Sequence, residues 1–160
     1  NYIPALREFL SVRLAEGDRV EALALCEKYL RQNPDEPDML NTKAVLLADM
    51  PNRQIEALAT IDRAVSLDDR PEFLATRGIV LVAMREYRRA LQDLETAAQK
   101  LPKPGARVDA ALAEAYLATN EIALARRHID AAVEKARNGD SVNSERLRRL
   151  QDAIRRREAA

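Results

Sequence analysis

The feature that most constrains this chain is a column of small residues recurring at Ala22, Ala57, Ala90 and Ala125, in steps of 35, 33 and 35 residues. Four positions after each alanine stands a larger apolar side chain, in turn Cys26, Ile61, Leu94 and Ile129. Three positions further on come Tyr29, Ala64, Ala97 and Ala132. Spacing of i, i+4, i+7 puts each trio on one stripe of an α-helix. The segment ahead of each of the last three helices carries a stripe of its own: Leu40, Ala44 and Leu47; Leu74, Gly78 and Leu81; Leu112, Ala113 and Tyr116. Self-similarity at such a period marks a chain that stacks one supersecondary unit, here a pair of helices, to build a continuous core.

Punctuation agrees with the period. Polar turns fall between the two helices of each pair, at Glu16-Gly17-Asp18, Pro51-Asn52-Arg53, Arg85-Glu86 and Thr119-Asn120-Glu121. Pairs are separated by Asn33-Pro34, Asp68-Asp69-Arg70-Pro71 and Pro102-Lys103-Pro104-Gly105. Proline cannot continue a helix and pushes its predecessor out of the α region, so these are stops. Ala, Leu, Arg and Glu, all strong helix formers, dominate the chain, and aromatics make up only 4%. An all-α protein follows.

These residues resemble the tetratricopeptide repeat family: helix–turn–helix units of about 34 residues with small residues at fixed places and a closing proline. With units counted from Ile3, Pro37, Pro71 and Ala106, the family's small eighth position falls on Leu10, Ala44, Gly78 and Ala113, and its alanine at twenty on the column above. In the second unit that alignment needs one extra residue near Met50-Pro51. The first unit departs most, with the bulky Leu10 and with Arg13 at an apolar place, and the fourth has Asp109 where a large apolar residue is expected. The resemblance implies a right-handed α-α superhelix, a single domain over 1–160 with repeats at about 3–36, 37–70, 71–105 and 106–139. A capping helix is expected over 143–159, with Ser144 as its N-cap and Leu147, Leu150 and Ile154 as its apolar stripe.

Charge sums to zero but is unevenly spread. Residues 1–72 hold 9 basic and 14 acidic side chains, and residues 123–160 hold 10 and 6, so the chain is acidic at its start and basic at its end. That asymmetry favours head-to-tail contacts at low salt. The arginines of the last helix lack interleaved aromatics and are interspersed with carboxylates, so nucleic acid is not an expected partner. The longest apolar run, Gly78 to Met84, is far short of the roughly 20 residues a membrane span needs. The sequence opens on Asn1 and not on Met, which reads as an excised soluble portion and leaves open an upstream anchor, leader or catalytic domain. Membrane contact would then come through missing flanks or a partner, on the cytoplasmic or periplasmic side of a membrane-associated complex, with the cytoplasmic side favoured.

Chemistry-bearing residues are sparse. His128 is the one histidine and stands between Arg127 and Ile129 without a second histidine or cysteine at metal spacing, which reads as a helix-packing or solvent-facing side chain. Cys26 occupies a core place of its helix and reads as an inert thiol. No glycine-rich phosphate loop, nucleophile elbow or paired-carboxylate motif occurs, so neither catalytic residues, a metal nor a cofactor is expected.

In the family, positions two, five, nine and twelve of each first helix commonly face the concave side. The resemblance therefore implies a partner-binding groove of Arg7, Ser11 and Leu14; Asn41, Val45 and Ala48; Ala75, Ile79 and Val82; and Ala110, Glu114 and Leu117, with Ile79 and Val82 as central anchors. Its middle is apolar and its edges polar, which suits an amphipathic helix or an apolar extended segment of a protein. The subset of the family that clamps a C-terminal carboxylate uses basic and amide residues where this chain has Ser11, Thr42, Glu72 and Thr76, so such a clamp is not expected. The expected function is a protein–protein interaction scaffold. Arg outnumbers Lys 21 to 5, which suggests a GC-rich bacterial genome, and the resemblance then points to a secretion or exopolysaccharide assembly. The alternatives are a regulatory or substrate-recruiting domain of a larger enzyme, and a self-associating module whose groove takes a second copy.

Overall fold

The computed structural model describes residues 18–160. Leu10, Arg13 and the groove positions Arg7, Ser11 and Leu14 lie outside the described residues. Every regular element among those described is an α-helix: α1 (Arg19–Gln32), α2 (Pro37–Ala48), α3 (Gln54–Leu67), α4 (Pro71–Ala83), α5 (Tyr87–Lys100), α6 (Ala106–Ala118), α7 (Ile122–Arg137) and α8 (Ser144–Glu158). The described residues divide after Asp68 into two compact units, the first ending at Asp68 and the second running from Asp69 to Ala160.

In the first unit α2 pairs with α3 as a hairpin, and α1 packs against α2. Ala22, Cys26, Ala44, Ala57, Ile61 and Ala64 are fully buried there, so the columns read from the sequence are its core. Burial pushes the Cys26 thiol up to about 12, which keeps it protonated and unreactive. Lys43 ties the layer together on its polar side, pairing with Glu27 of α1 at 3.4 Å and Glu56 of α3 at 3.1 Å. The turn from α2 to α3 spans 49–53, two residues longer than the turns 84–86 and 119–121 of the second unit, which accommodates the extra residue near Met50-Pro51.

The second unit stacks two hairpins, α4–α5 and α6–α7, and closes with α8 on α7. Close approach within a hairpin depends on Gly78. A Cβ built there would stand 2.5 Å from Cγ of Leu94, so the missing side chain is the space that Leu94 occupies. Each hairpin turn needs one residue in the left-handed region: Arg85 at φ 62° and Asn120 at φ 67°, matching Asn52 at φ 61° in the first unit. In the second unit the helix end is then locked by an N–H reaching back over the last turn, Glu86 to the Leu81 carbonyl at 2.9 Å and Glu121 to the Tyr116 carbonyl at 2.8 Å. The same closure follows α7, through Gly139 at φ 101° and Asp140 bonding the Lys135 carbonyl at 3.0 Å.

Helix α8 buries Leu147, Leu150 and Ile154 against the preceding hairpin, as its stripe predicts. Its cap differs from the expectation in detail. Asn143 Oδ1, and not the Ser144 hydroxyl, accepts the Arg146 N–H at 2.9 Å, and Ser144 is the first residue inside the helix. Both residue types cap well, so sequence alone does not choose between neighbours.

Candidate functional site

The expected groove residues are described unit by unit. On α2, Asn41, Val45 and Ala48 are all half-buried and share one stripe. On α4 and α6 the six expected positions divide into two groups. Ile79, Glu114 and Leu117 are half-buried and partly open, whereas Ala75, Val82 and Ala110 are 6%, 1% and 0% exposed. Val82 therefore cannot anchor a partner alongside Ile79, and Ala75 and Ala110 cannot line an open channel. The physical reason is that α4 and α6 pack directly on each other, so residues on the flank of the inner stripe become core.

Of these six positions, Ile79 on α4 and Glu114 and Leu117 on α6 remain partly open. Glu114 Oε2 accepts from Arg146 of α8 at 2.6 and 3.1 Å, which ties α6 to α8. Glu114, Asn143, Glu145, Arg146, Arg149 and Leu150 surround a hollow of about 440 Å³ at this border. A wider hollow of about 780 Å³ lies at the hairpin turns, among Arg85, Arg88, Arg89, Tyr87, Leu91 and Glu121. Neither brings together a nucleophile and a base. Among the described residues no group of three His, Cys, Asp or Glu is placed to hold a metal ion. No helix among them is long and apolar enough to cross a membrane.

One polar cluster was not foreseen from the sequence. Asp109, the residue that breaks the apolar pattern of the fourth repeat, is 5% exposed on α6. It is held by two residues of α7: His128 Nδ1 lies 2.8 Å from Oδ1, and Lys135 Nζ is paired with Oδ2. Lys135 also donates to the Pro104 carbonyl at 2.7 Å. Burial by itself pushes the Asp109 carboxyl up, but the hydrogen bonds and charges of His128 and Lys135 outweigh it and hold it below the usual carboxylate value. The His128 ring stacks on Tyr116 at 5.6 Å, and the Tyr116 hydroxyl donates to Glu95 of α5 at 2.7 Å. His128 is thus a helix-packing side chain, one of the two readings its sequence context allowed. A signal for the cluster was available: His128 and Lys135 are seven residues apart, hence on one stripe of α7, and Asp109 is a charge at a core place. The cluster ties α6 to α7, with His128 and Lys135 half-buried over the buried Asp109.

A family model described as tetratricopeptide repeat matches residues 81–154, from the end of α4 into α8. No curated protein matches the chain. Among solved structures, MamA residues 41 to end from Desulfovibrio magneticus RS-1 is similar at a TM-score of 0.66 and 19% identity, over 99% of this chain and 90% of that one. A MamA RS-1 double mutant gives 0.64 and 18%, over 99% and 96%. TTC0263, a thermophilic TPR protein of Thermus thermophilus, gives 0.56 and 19%, over 94% and 98%. At these identities the likeness is one of fold. Residues 81–154 match the tetratricopeptide-repeat model, and the chain has the all-α helical-repeat fold of tetratricopeptide-repeat proteins.

Proposed function

We propose that this chain is a non-catalytic protein–protein interaction scaffold that seats the apolar side of a partner segment on the first helices of its hairpins. The observation that carries this reading is the surface of α4 and α6, where Ile79 and Leu117 stay partly open although their neighbours Ala75, Val82 and Ala110 are buried, and where Glu114 and Arg146 form a charged border. An apolar strip with a polar edge is what an amphipathic helix or an apolar extended segment needs. The setting we propose is a bacterial membrane-associated secretion or exopolysaccharide assembly. The arginine bias and the bacterial sources of the similar structures support its first part, and the family resemblance supports its second.

The test is a substitution at the strip. Partners captured from the source cell are identified, the bound segment is mapped, and its synthetic peptide is titrated against the wild type and Ile79→Asp. Burying an unpaired carboxylate in an apolar contact is strongly unfavourable, so the expected loss in affinity is about tenfold or more with an unchanged far-UV circular dichroism spectrum. Equal affinity for the two proteins would place the binding surface elsewhere.

A further inference from the structure

We infer that the hollow at the hairpin turns of the second unit is a second protein-docking site, taking a short acidic segment of a partner whose Asp or Glu carboxylates meet Arg85 and Arg88. No residue of the strip on α4 and α6 lines this hollow, so it is a further surface and does not rest on the strip.

The charge of the hollow is not balanced from within. Its volume of about 780 Å³ is lined by Arg85, Arg88 and Arg89 against Glu86 and Glu121. Glu86 Oε2 accepts from Arg89 Nη1 at 2.5 Å, and Glu121 Oε1 accepts the Thr119 hydroxyl at 3.0 Å. Arg85 and Arg88 are exposed, and their side chains make no hydrogen bond or ion pair among the described residues. Two guanidinium groups therefore stand uncommitted at one hollow.

These arginines also run against local preference. The left-handed residue of the other two hairpin turns is an asparagine, Asn52 at φ 61° and Asn120 at φ 67°, whereas here it is Arg85 at φ 62°. Asparagine is enriched in that region because its short amide bonds the nearby backbone, and arginine has no such compensation. Arg88 and Arg89 then stand in the first turn of α5, where the positive end of the helix dipole disfavours cations. That turn holds no acid, and the Glu86 side chain makes no cap bond to it. Residues held against local preference cluster where a function requires them, and an anion bound in the hollow supplies what the chain itself does not.

Shape and charge select the class of ligand. Three guanidinium groups against two carboxylates leave an excess of one positive charge, which suits single carboxylates better than a phosphate of nearly two charges. A recess admits side chains and not the face of a bilayer. Half-buried Tyr87 and buried Leu91 add apolar surface to the hollow, which fits an apolar residue next to the acid. Arginine meets a carboxylate through two parallel N–H···O bonds, so the contact is directional as well as ionic.

The experiment titrates the isotope-labelled full chain at low salt with the end-blocked peptide Glu-Asp-Leu-Glu-Asp-Leu, reading backbone amide shifts, with Gln-Asn-Leu-Gln-Asn-Leu as the uncharged control. The acidic peptide should shift the amides of Arg85, Arg88, Arg89 and Glu121 saturably, and the control should not. Arg85→Asn/Arg88→Gln should weaken that binding about tenfold through the loss of two charge-assisted contacts. The same variant should melt no lower than the wild type, because asparagine suits the left-handed residue and glutamine removes a cation from the first turn. Weaker binding without a lower melting temperature is a result that a merely structural role for the two arginines would not give. The absence of a saturable shift at these amides overturns the inference, as does equal affinity of the variant or a variant that melts lower. Inorganic phosphate that saturates the same amides more tightly than the peptide would assign the hollow to a free anion and overturn it. Flotation with vesicles rich in anionic lipid that the double variant abolishes would assign the arginines to a membrane and overturn it too.

Discussion

Leu94→Ala is expected to destabilise the second unit by about 2–5 kcal/mol, the range for deleting a buried leucine where the surroundings cannot collapse. Leu94 is fully buried, and its Cγ and Cδ2 would lie 2.5 and 2.8 Å from a Cβ at position 78, so it fills the hollow that Gly78 leaves between α4 and α5. The residues one turn away on α5, Ala90 and Ala97, are also fully buried but too short to close the gap. For a unit of this size each kcal/mol corresponds to roughly 4–8 °C in melting temperature, so the loss is readily seen in a thermal melt. Gly78→Ala sharpens the test. In the wild type the added methyl meets Leu94 and overpacks, at about 1–3 kcal/mol. In the Leu94→Ala background the methyl enters vacated space and gains up to about 1 kcal/mol of helix propensity, so the double variant should be more stable than Leu94→Ala alone. Additive losses would mean that Gly78 and Leu94 do not face each other.

The second large effect is expected at the Asp109 cluster and runs against the usual ranking of substitutions. Lys135→Met should cost about 3 kcal/mol or more, because it removes the ammonium that compensates a carboxylate on the 5% exposed Asp109. Asp109→Leu, although it deletes the more buried residue, should be close to neutral or stabilising, since it removes the charge that needed compensation and restores an apolar residue at a core place. The wild type should also show acid sensitivity that Asp109→Leu lacks. The Asp109 carboxyl is held below its ordinary value in the fold, so its contribution is present above the unfolded value of about 4 and is lost as pH falls through the folded one. Chemical denaturation of the three proteins at pH 7 and in the acid range measures both effects. An Asp109→Leu variant less stable than Lys135→Met would contradict this description of the cluster.

These two sites also show what the sequence could and could not reveal. The pattern of Ala90, Leu94 and Gly78 is readable because a glycine in a helix, matched at the eighth place of the second and fourth units by Ala44 and Ala113, has few explanations other than close approach. The turns were readable from proline and from polar residues at equivalent steps. Ala75, Val82 and Ala110 were misjudged as open because their place on a helix fixes the direction of a side chain but not how near the next hairpin comes. That distance is set by the summed volumes of α4 and α6, which no single stripe contains. Asp109 looked like a flaw in the repeat when viewed along its own helix. Its justification lies in His128 and Lys135, 19 and 26 residues later, and appears only when α6 and α7 are placed side by side. Of the expected groove positions on α4 and α6, Ile79, Glu114 and Leu117 are half-buried, and the strip proposed there awaits the substitution and crosslinking tests.

The central claim is that a partner lies against the first helices of the hairpins, and it is tested most directly by photo-crosslinking. A benzoylphenylalanine is placed at position 79 on α4 in one protein and at position 124 on α7, where Leu124 is 36% exposed, in another. Irradiation in the source cell should yield one discrete crosslinked protein from position 79 and none from position 124. A crosslink from position 124 with nothing from position 79 would contradict the account.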